Sequence, residues 1–266
     1  METPAHFSKI LNDQLSVQAW LDPRMSSLPG VQPLTREDWL LRDEVFTQQM
    51  AYRDWLLEHQ RGAVFAQTQQ ANEAAEELRD IIIHDCGFEK NGGLVTRPDG
   101  VSVGITADAP LITAARLTQS DLCIFQDAGG SHILTAGVMC FPSSWTLSQK
   151  MGRNLASIHR PVDEFDERIA TSVQRMFKAI RIQQPLWRAN FLIYTDAQLH
   201  QPREEGVAKP MDSDAPRYVR VERQSFRRLP KSLAVVFGIH TSVIPASALS
   251  KDEHDALRQL KPELGG

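Results

Sequence analysis

The chain has 266 residues, of which 42% are hydrophobic, so it is long enough to bury a substantial core. A formal net charge of −4, from 29 Lys and Arg against 33 Asp and Glu, provides no basic field that would attract nucleic acid or an anionic membrane surface. The three cysteines form no CxxC pair, and no apolar run approaches the ~20 residues needed to span a bilayer. These properties predict a cytoplasmic protein that binds neither nucleic acid nor membrane.

The first part of the chain predicts an irregular lead-in followed by helices. Residues 1–34 contain prolines between short apolar clusters, which is typical of an extended segment. From residue 35 to 59 the apolar spacing and a possible cap at Thr35 predict one helix or two consecutive ones. A further helix is predicted around residues 67–83. We expect residues 35–266 to form a single domain with helical extensions at both ends.

The middle of the chain changes to β-prone segments. Residues 93–105 contain the turn sequence Pro98-Asp99-Gly100 between two such runs and predict a hairpin. A short helix is predicted at residues 110–118. A second, more apolar hairpin is predicted from residues 121–125 and 132–141, because the glycines between them can adopt the backbone angles of a tight connection.

The last part predicts two helices, at residues 144–159 and 163–180, then three β-prone runs and a C-terminal helix from Pro245 to Leu260. The three runs are residues 187–195, 217–229 and 232–243. Strands arranged mostly as hairpins, with helices around them, predict an α+β fold with an antiparallel sheet. No glycine-rich phosphate loop joins a strand to a helix, which argues against a dinucleotide-binding fold.

His159 has the most distinctive surroundings of the eight histidines. Ile158 precedes it, Pro161 follows at the predicted end of a helix, and Lys150 and Arg153 lie upstream. A neutral imidazole in this place could bind a metal or haem iron. It could instead be a helix-terminal residue that the helix dipole stabilises, and the spacing alone favours this second interpretation.

The run of residues 217–229 is unusual because arginines crowd a β-prone sequence. Alternation puts Arg220, Glu222 and Gln224 on one face and Arg223 on the other. One interpretation is a charged strand protected against edge-to-edge aggregation. The other is that one face lines a polar pocket, in which arginine pairs with anions and Glu222 with a cation.

Several segments taken together resemble the haem-dependent oxidative N-demethylase family, α-subunit type. The match runs from about Trp39 to Pro245 and depends on the order and spacing of its pieces. These pieces are PLTREDWLLRDEVF with the downstream Arg53, LTQSDLCIF, FPSSWTLSQKMGRNLASIHRPV, RANFLIYTDAQL and VRVERQSFRRLPKSLAVVFGIHT.

The resemblance implies a PAS-like antiparallel sheet with flanking helices, which holds a b-type haem with His159 as the axial iron ligand. Lys150 and Arg153 could pair with the haem propionates, or they could be ordinary surface charges, since both are expected to be exposed on the predicted helix. Further residues expected to contact the cofactor are Ile158, Phe141 and Trp145.

The resemblance further implies a monooxygenase-type reaction, in which O₂ oxidises a small secondary amine, dimethylamine or a similar compound, to a primary amine and formaldehyde. Electrons would come from NADPH through FMN and a 2Fe-2S cluster in a separate reductase subunit, and tetrahydrofolate would receive the formaldehyde. The residues expected to form the polar catalytic pocket are Glu222, Arg220, Arg223 and Gln224.

Two positions depart from the family pattern and bear on the choice of substrate. Where the family usually has Asn-Trp, this chain has Asn190-Phe191, and a familiar Arg-Thr-Tyr is His240-Thr241-Ser242. Two alternatives therefore remain open. The same architecture could serve as a haem-based gas sensor without turnover, or as a haem-free scaffold.

Overall fold

The computed structural model of the chain describes residues 3–25, 28–106, 108–159, 167–208, 212 and 214–260, with only the backbone of His159 and Glu167. Within these residues the α-helices are α1 (Phe46–His59), α2 (Arg61–Val64), α3 (Asn72–Asp85), α4 (Pro110–Ala115), α5 (Leu147–Lys150), α6 (Leu155–His159), α7 (Glu167–Ala179) and α8 (Lys251–Leu260). The strands are β1 (Gln32–Pro33), β2 (Phe65–Gln67), β3 (Lys90–Asn91), β4 (Leu94–Thr96), β5 (Ser102–Gly104), β6 (Asp121–Ala128), β7 (Ser131–Val138), β8 (Leu186–Tyr194), β9 (Tyr218–Arg228) and β10 (Val235–Pro245).

Seven of these strands form one antiparallel sheet in the order β1-β8-β9-β10-β6-β7-β2. The long hairpin of β9 and β10 occupies its centre, where both strands have neighbours that satisfy their backbone hydrogen-bonding groups. Strands β3, β4 and β5 form a separate small sheet. Mixed helices and antiparallel strands confirm the predicted α+β class, whereas the division of the chain at residue 34 remains a prediction.

Different parts of the chain cover the two sides of the large sheet. One side packs on α5, α6 and α7 through an apolar cluster that includes Phe125, Leu155, Phe177 and Ile239. The other side is covered by α1, α3 and α4 over β6 and β7, and by the N-terminal segment and α8 over β8 and β9. We call the side that faces α7, and that carries Glu222, the inner face.

Several predicted boundaries were wrong for identifiable reasons. The single helix predicted over residues 144–159 is divided into α5 and α6, because Gly152 between them adopts a φ of 73°. The helix expected from residue 35 begins only at Phe46, and the C-terminal helix begins at Lys251 after a 3₁₀ turn. The predicted helix at 163–180 appears as α7, although residues 160–166 lie outside the described part of the chain.

Candidate functional site

The inner face is organised in rows that run across β8, β9 and β10. The strand register places Glu222 opposite Asn190 on one side and Thr241 on the other. The next row toward α7 contains Arg188, Gln224 and Ile239, and the row beyond Glu222 contains Leu192, Arg220 and Val243. Directly opposed residues in antiparallel strands have Cβ atoms about 4.5–5.5 Å apart, so each row brings its three side chains together.

Four buried polar atoms on this face have no hydrogen-bond partner among the residues that the structure describes. They are Arg188 Nε, Asn190 Oδ1, Arg220 Nε and Thr241 Oγ1. Leaving a buried donor or acceptor unpaired costs about 1–3 kcal/mol, so such atoms are uncommon in native proteins. Their concentration on three neighbouring strands indicates a surface that is completed by a ligand.

Glu222 lies at the centre of this polar region and is only 6% exposed. Its Oε1 accepts a hydrogen bond from the Ser143 hydroxyl and lies 3.7 Å from Arg220 Nε. The adjacent Ser144 adopts a φ of 63°, which is rare for a residue other than glycine, and its hydroxyl is 2.9 Å from the Tyr194 hydroxyl. The turn that carries both serines is therefore tied to β8 and β9.

Arg220 is fixed by the backbone and not only by the carboxylate. Its Nη1 donates to Leu199 O at 2.9 Å and its Nη2 donates to Phe141 O at 2.5 Å. The guanidinium also lies 5.8 Å from the centre of the Tyr194 ring. Because both Nη groups are engaged, Arg220 holds a constant orientation beside Glu222.

A fully buried ion pair fixes the chain that leads to Ser143. Arg53 Nη1 lies 2.6 Å from Asp121 Oδ1, and both side chains are completely buried. The same carboxylate accepts hydrogen bonds from the backbone N–H groups of Cys140, at 2.7 Å, and Phe141, at 2.8 Å. Asp121 thus positions Phe141, whose carbonyl accepts a hydrogen bond from Arg220.

Arg188 and Gln224 occupy the row between the polar centre and the apolar cluster. Arg188 Nη1 donates to Gln224 Oε1 at 3.2 Å. Burial lowers the pKa of the Arg188 guanidinium below its ordinary value, and the charge of Glu222 opposes that change. Gln224 therefore lies on the predicted face, together with Arg220 and Glu222.

Arg223, the fourth residue expected in the pocket, lies on the opposite side of the sheet. Its Nη2 donates to Asp38 O at 2.9 Å, and its guanidinium is 5.1 Å from the centre of the Trp187 ring. The register pairs it with Ala189 and His240, away from the inner face. Including Arg223 in the pocket was wrong, because alternation along β9 directs its side chain away from Glu222.

The other end of the inner face is apolar and only partly covered. Trp145, Ile158 and Phe237 are half-buried and pack against the cluster on α7. The Phe226 and Phe237 rings stack with their centres 5.0 Å apart. Phe141, another residue expected to contact the cofactor, instead packs in the cluster under α1, with its ring 5.5 Å from that of Tyr52.

The segment predicted to bind iron reaches this apolar end. α6 carries Ile158 against the cluster and includes the backbone of His159, whose side chain lies outside the described part of the structure. Lys150 is buried, contrary to its expected exposure, and its Nζ donates to Ile158 O and to Glu205 Oε1, both at 2.7 Å. Arg153 is more exposed and also contacts Glu205, at 3.1 Å.

These residues fit a haem group in two respects. The half-covered apolar surface can pack against the flat porphyrin ring. The unpaired buried polar groups beside it can form hydrogen bonds to small molecules held near the iron. Among the described residues, no group of three or more His, Cys, Asp or Glu side chains could hold a metal ion by itself. In the same part of the chain, no helix is long and apolar enough to cross a bilayer.

The fold and this face define an α+β protein with a ligand-binding surface that is apolar at one end and polar at the other. The chain belongs to the family described as haem-dependent oxidative N-demethylase, alpha subunit-like, whose model matches residues 30–265. The description names both dependence on haem and a role as one subunit of a larger enzyme. This confirms the resemblance found in the sequence.

Sequence reasoning did not select Arg188 or Ser143 as site residues, and it named Asn190 and Thr241 only within the two departures from the family pattern. They lie in three separate segments, with Arg188 and Asn190 both on β8, and only the register of the strands and the path of the chain after β7 bring them to Glu222. The sequence did contain one signal, because polar residues recur at alternate positions of β8 in an otherwise apolar and aromatic run.

Proposed function

We propose that this chain is the haem-binding subunit of an oxidative demethylase that acts on a small secondary amine such as dimethylamine. In the proposed reaction one atom of O₂ ends in formaldehyde and the other in water, two electrons come from NADPH, and a primary amine is released. The observation that carries the proposal is the buried Glu222 carboxylate at the centre of the inner face. Family membership over residues 30–265 supports the chemistry.

The residues of the inner face have separate parts in this proposal. Small alkylamines are cations at neutral pH, and the Glu222 carboxylate provides the opposite charge in a region of low dielectric constant. Ser143 and Arg220 hold that carboxylate in place. Once the amine is bound, a Glu222 oxygen accepts the proton that the nitrogen must lose before its methyl group is oxidised.

The cofactor would lie against the apolar end of the face, and His159 would hold its iron. When bound, the haem supplies the iron at which O₂ is activated. Trp145 and Ile158 would contact the porphyrin. Lys150 contributes indirectly, because it holds the Ile158 carbonyl at the end of α6, while Arg153 remains the candidate partner of a propionate.

Other components would complete the enzyme. We propose that NADPH delivers electrons through FMN and a 2Fe-2S cluster in a reductase subunit, and that tetrahydrofolate accepts the formaldehyde in the cytoplasm. The family description supports a multi-subunit enzyme through its reference to an alpha subunit.

An absorption spectrum tests the ligand assignment. Protein expressed with haem supply should show a Soret band that is shifted or lost in His159→Ala. The matched variant His254→Ala changes a histidine of α8 and should keep the band. A Soret band that is identical in His159→Ala and the unmodified chain would exclude His159 as the ligand.

Turnover is tested separately. Chemically reduced protein should consume O₂ and release formaldehyde when a secondary amine is added, and Glu222→Gln should slow both by at least about tenfold, since it removes the charge that binds the amine. Binding of O₂ or CO without formaldehyde release across a panel of small amines would instead identify a gas sensor.

A further inference from the structure

Three oxygen acceptors stand side by side at the centre of the inner face. Asn190, Glu222 and Thr241 are directly opposed on β8, β9 and β10. Asn190 Oδ1 and Thr241 Oγ1 are buried and have no hydrogen-bond partner in the described part of the chain, while the carboxylate between them carries the charge. We call these three residues the acceptor row.

Hydrogen-bonding capacity decides what this row can hold. Because Oε1 of Glu222 already accepts from Ser143, the carboxylate would neutralise an ammonium and accept one of its N–H groups through Oε2. A dialkylammonium has a second N–H, which needs a neutral acceptor nearby if it is not to remain unpaired in a buried site. The unpaired oxygens of Asn190 and Thr241 lie on either side of Glu222 and supply that acceptor.

The neighbouring charges confine a cation to this row. Arg188 lies one row nearer α7, and Arg220 lies one row beyond on the far side of Glu222. Both guanidinium groups repel a cation that moves away from the carboxylate in either direction. An ammonium attracted by the Glu222 carboxylate would therefore lie in the row that also contains both neutral acceptors.

We propose that Asn190 and Thr241 determine substrate specificity by accepting the second N–H of the ammonium bound to Glu222. The inference rests on the proposed function and extends it, because it states why a secondary amine is preferred to a tertiary one. An ammonium with one N–H satisfies the carboxylate alone and leaves the flanking oxygens unpaired. An ammonium with no N–H retains only the charge interaction.

A series of three cations separates charge from hydrogen bonding. Dimethylammonium, trimethylammonium and tetramethylammonium chlorides share a single positive charge but have two, one and no N–H groups. Calorimetric titration of the purified protein, with its haem content measured, should show affinity falling about three- to tenfold with each lost N–H. Equal affinity for the three cations would overturn the proposal.

Substitutions then assign the effect to residues. Asn190→Leu and Thr241→Val, singly and together, should reduce the preference for dimethylammonium over trimethylammonium toward one. Thr241→Ser keeps an oxygen acceptor and should retain most of the preference for dimethylammonium. Thr113→Val is the matched control, since Thr113 is another buried threonine whose hydroxyl has no partner among the described residues, but it lies on α4.

The outcomes distinguish this inference from the proposed function. An unchanged preference in the Asn190 and Thr241 variants, in protein that still oxidises amines, would overturn the inference alone. Failure of all three cations to bind the unmodified haem-loaded protein would overturn both. If Thr113→Val also lost the preference, general loosening of the fold would explain the effect. That result would also overturn the inference.

Discussion

The buried pair of Arg53 and Asp121 should make the largest single electrostatic contribution to the integrity of the site. In Asp121→Asn the guanidinium of Arg53 loses its partner in a place with no access to water. One of the two backbone N–H groups now bonded to the carboxylate would also face an amide NH₂. Removing one member of a buried pair typically costs about 3–5 kcal/mol.

Urea unfolding at neutral pH, followed by tryptophan fluorescence, measures this loss. Asp121→Asn should lower the free energy of unfolding by about 3–5 kcal/mol, a large share of the about 5–15 kcal/mol typical of a domain. Asp54→Asn is the matched control, because Asp54 is 21% exposed and one of its partners, Arg97, keeps a second ion pair with Asp99. We expect the control to lose about 1 kcal/mol or less.

A double variant tests the physical cause. Arg53→Met in the Asp121→Asn background removes the unpaired charge and fills much of the same volume, so it should recover part of the lost stability. A loss below about 1 kcal/mol in Asp121→Asn, or no recovery in the double variant, would refute the argument that an uncompensated buried charge controls this region.

Two further predictions concern packing and pH. A Cβ at Gly238 would lie 2.7 Å from Ser225 Oγ, so Gly238→Ala should destabilise the protein by about 1–3 kcal/mol, and adding Ser225→Ala should restore part of it in the same urea assay. No recovery would point to a backbone cause. Burial lowers the pKa of His200 in the folded state, although its hydrogen bond to Cys140 O opposes this. The unfolded chain therefore binds more protons than the folded chain below about pH 6.5, and stability falls as the pH drops. His200→Gln should flatten the decline between about pH 7 and 5, and an unchanged slope would contradict this.

The pattern of single segments predicted much of the fold correctly. The turn at Asp99-Gly100 and the glycines between β6 and β7 gave the right hairpins, since these connections need backbone angles that glycine supplies. Alternation along β9 also sorted its side chains onto the correct faces. Local chemistry determines all of these features, so a local pattern is sufficient to find them.

Features that depend on distant residues could not be found in this way. Asn190 and Thr241 reach Glu222 only through the register of three strands. That register depends on which face of each strand is buried. The burial of Lys150 follows from its contacts with Ile158 O and Glu205, which lies far along the chain. A lysine in an amphipathic pattern gives no sign of such a partner.

The unpaired atoms of the acceptor row persist because the surrounding frame prevents their collapse. Tyr194 and Ser144 tie the turn at residues 143 and 144 to β8, and Arg220 is held by two backbone carbonyls. If these groups were free to move, Arg220 Nε and the acceptors would relax toward one another or toward water and recover their hydrogen bonds. The fold instead holds the two acceptors apart from Arg220, which is the arrangement expected where a bound cation donates hydrogen bonds to them.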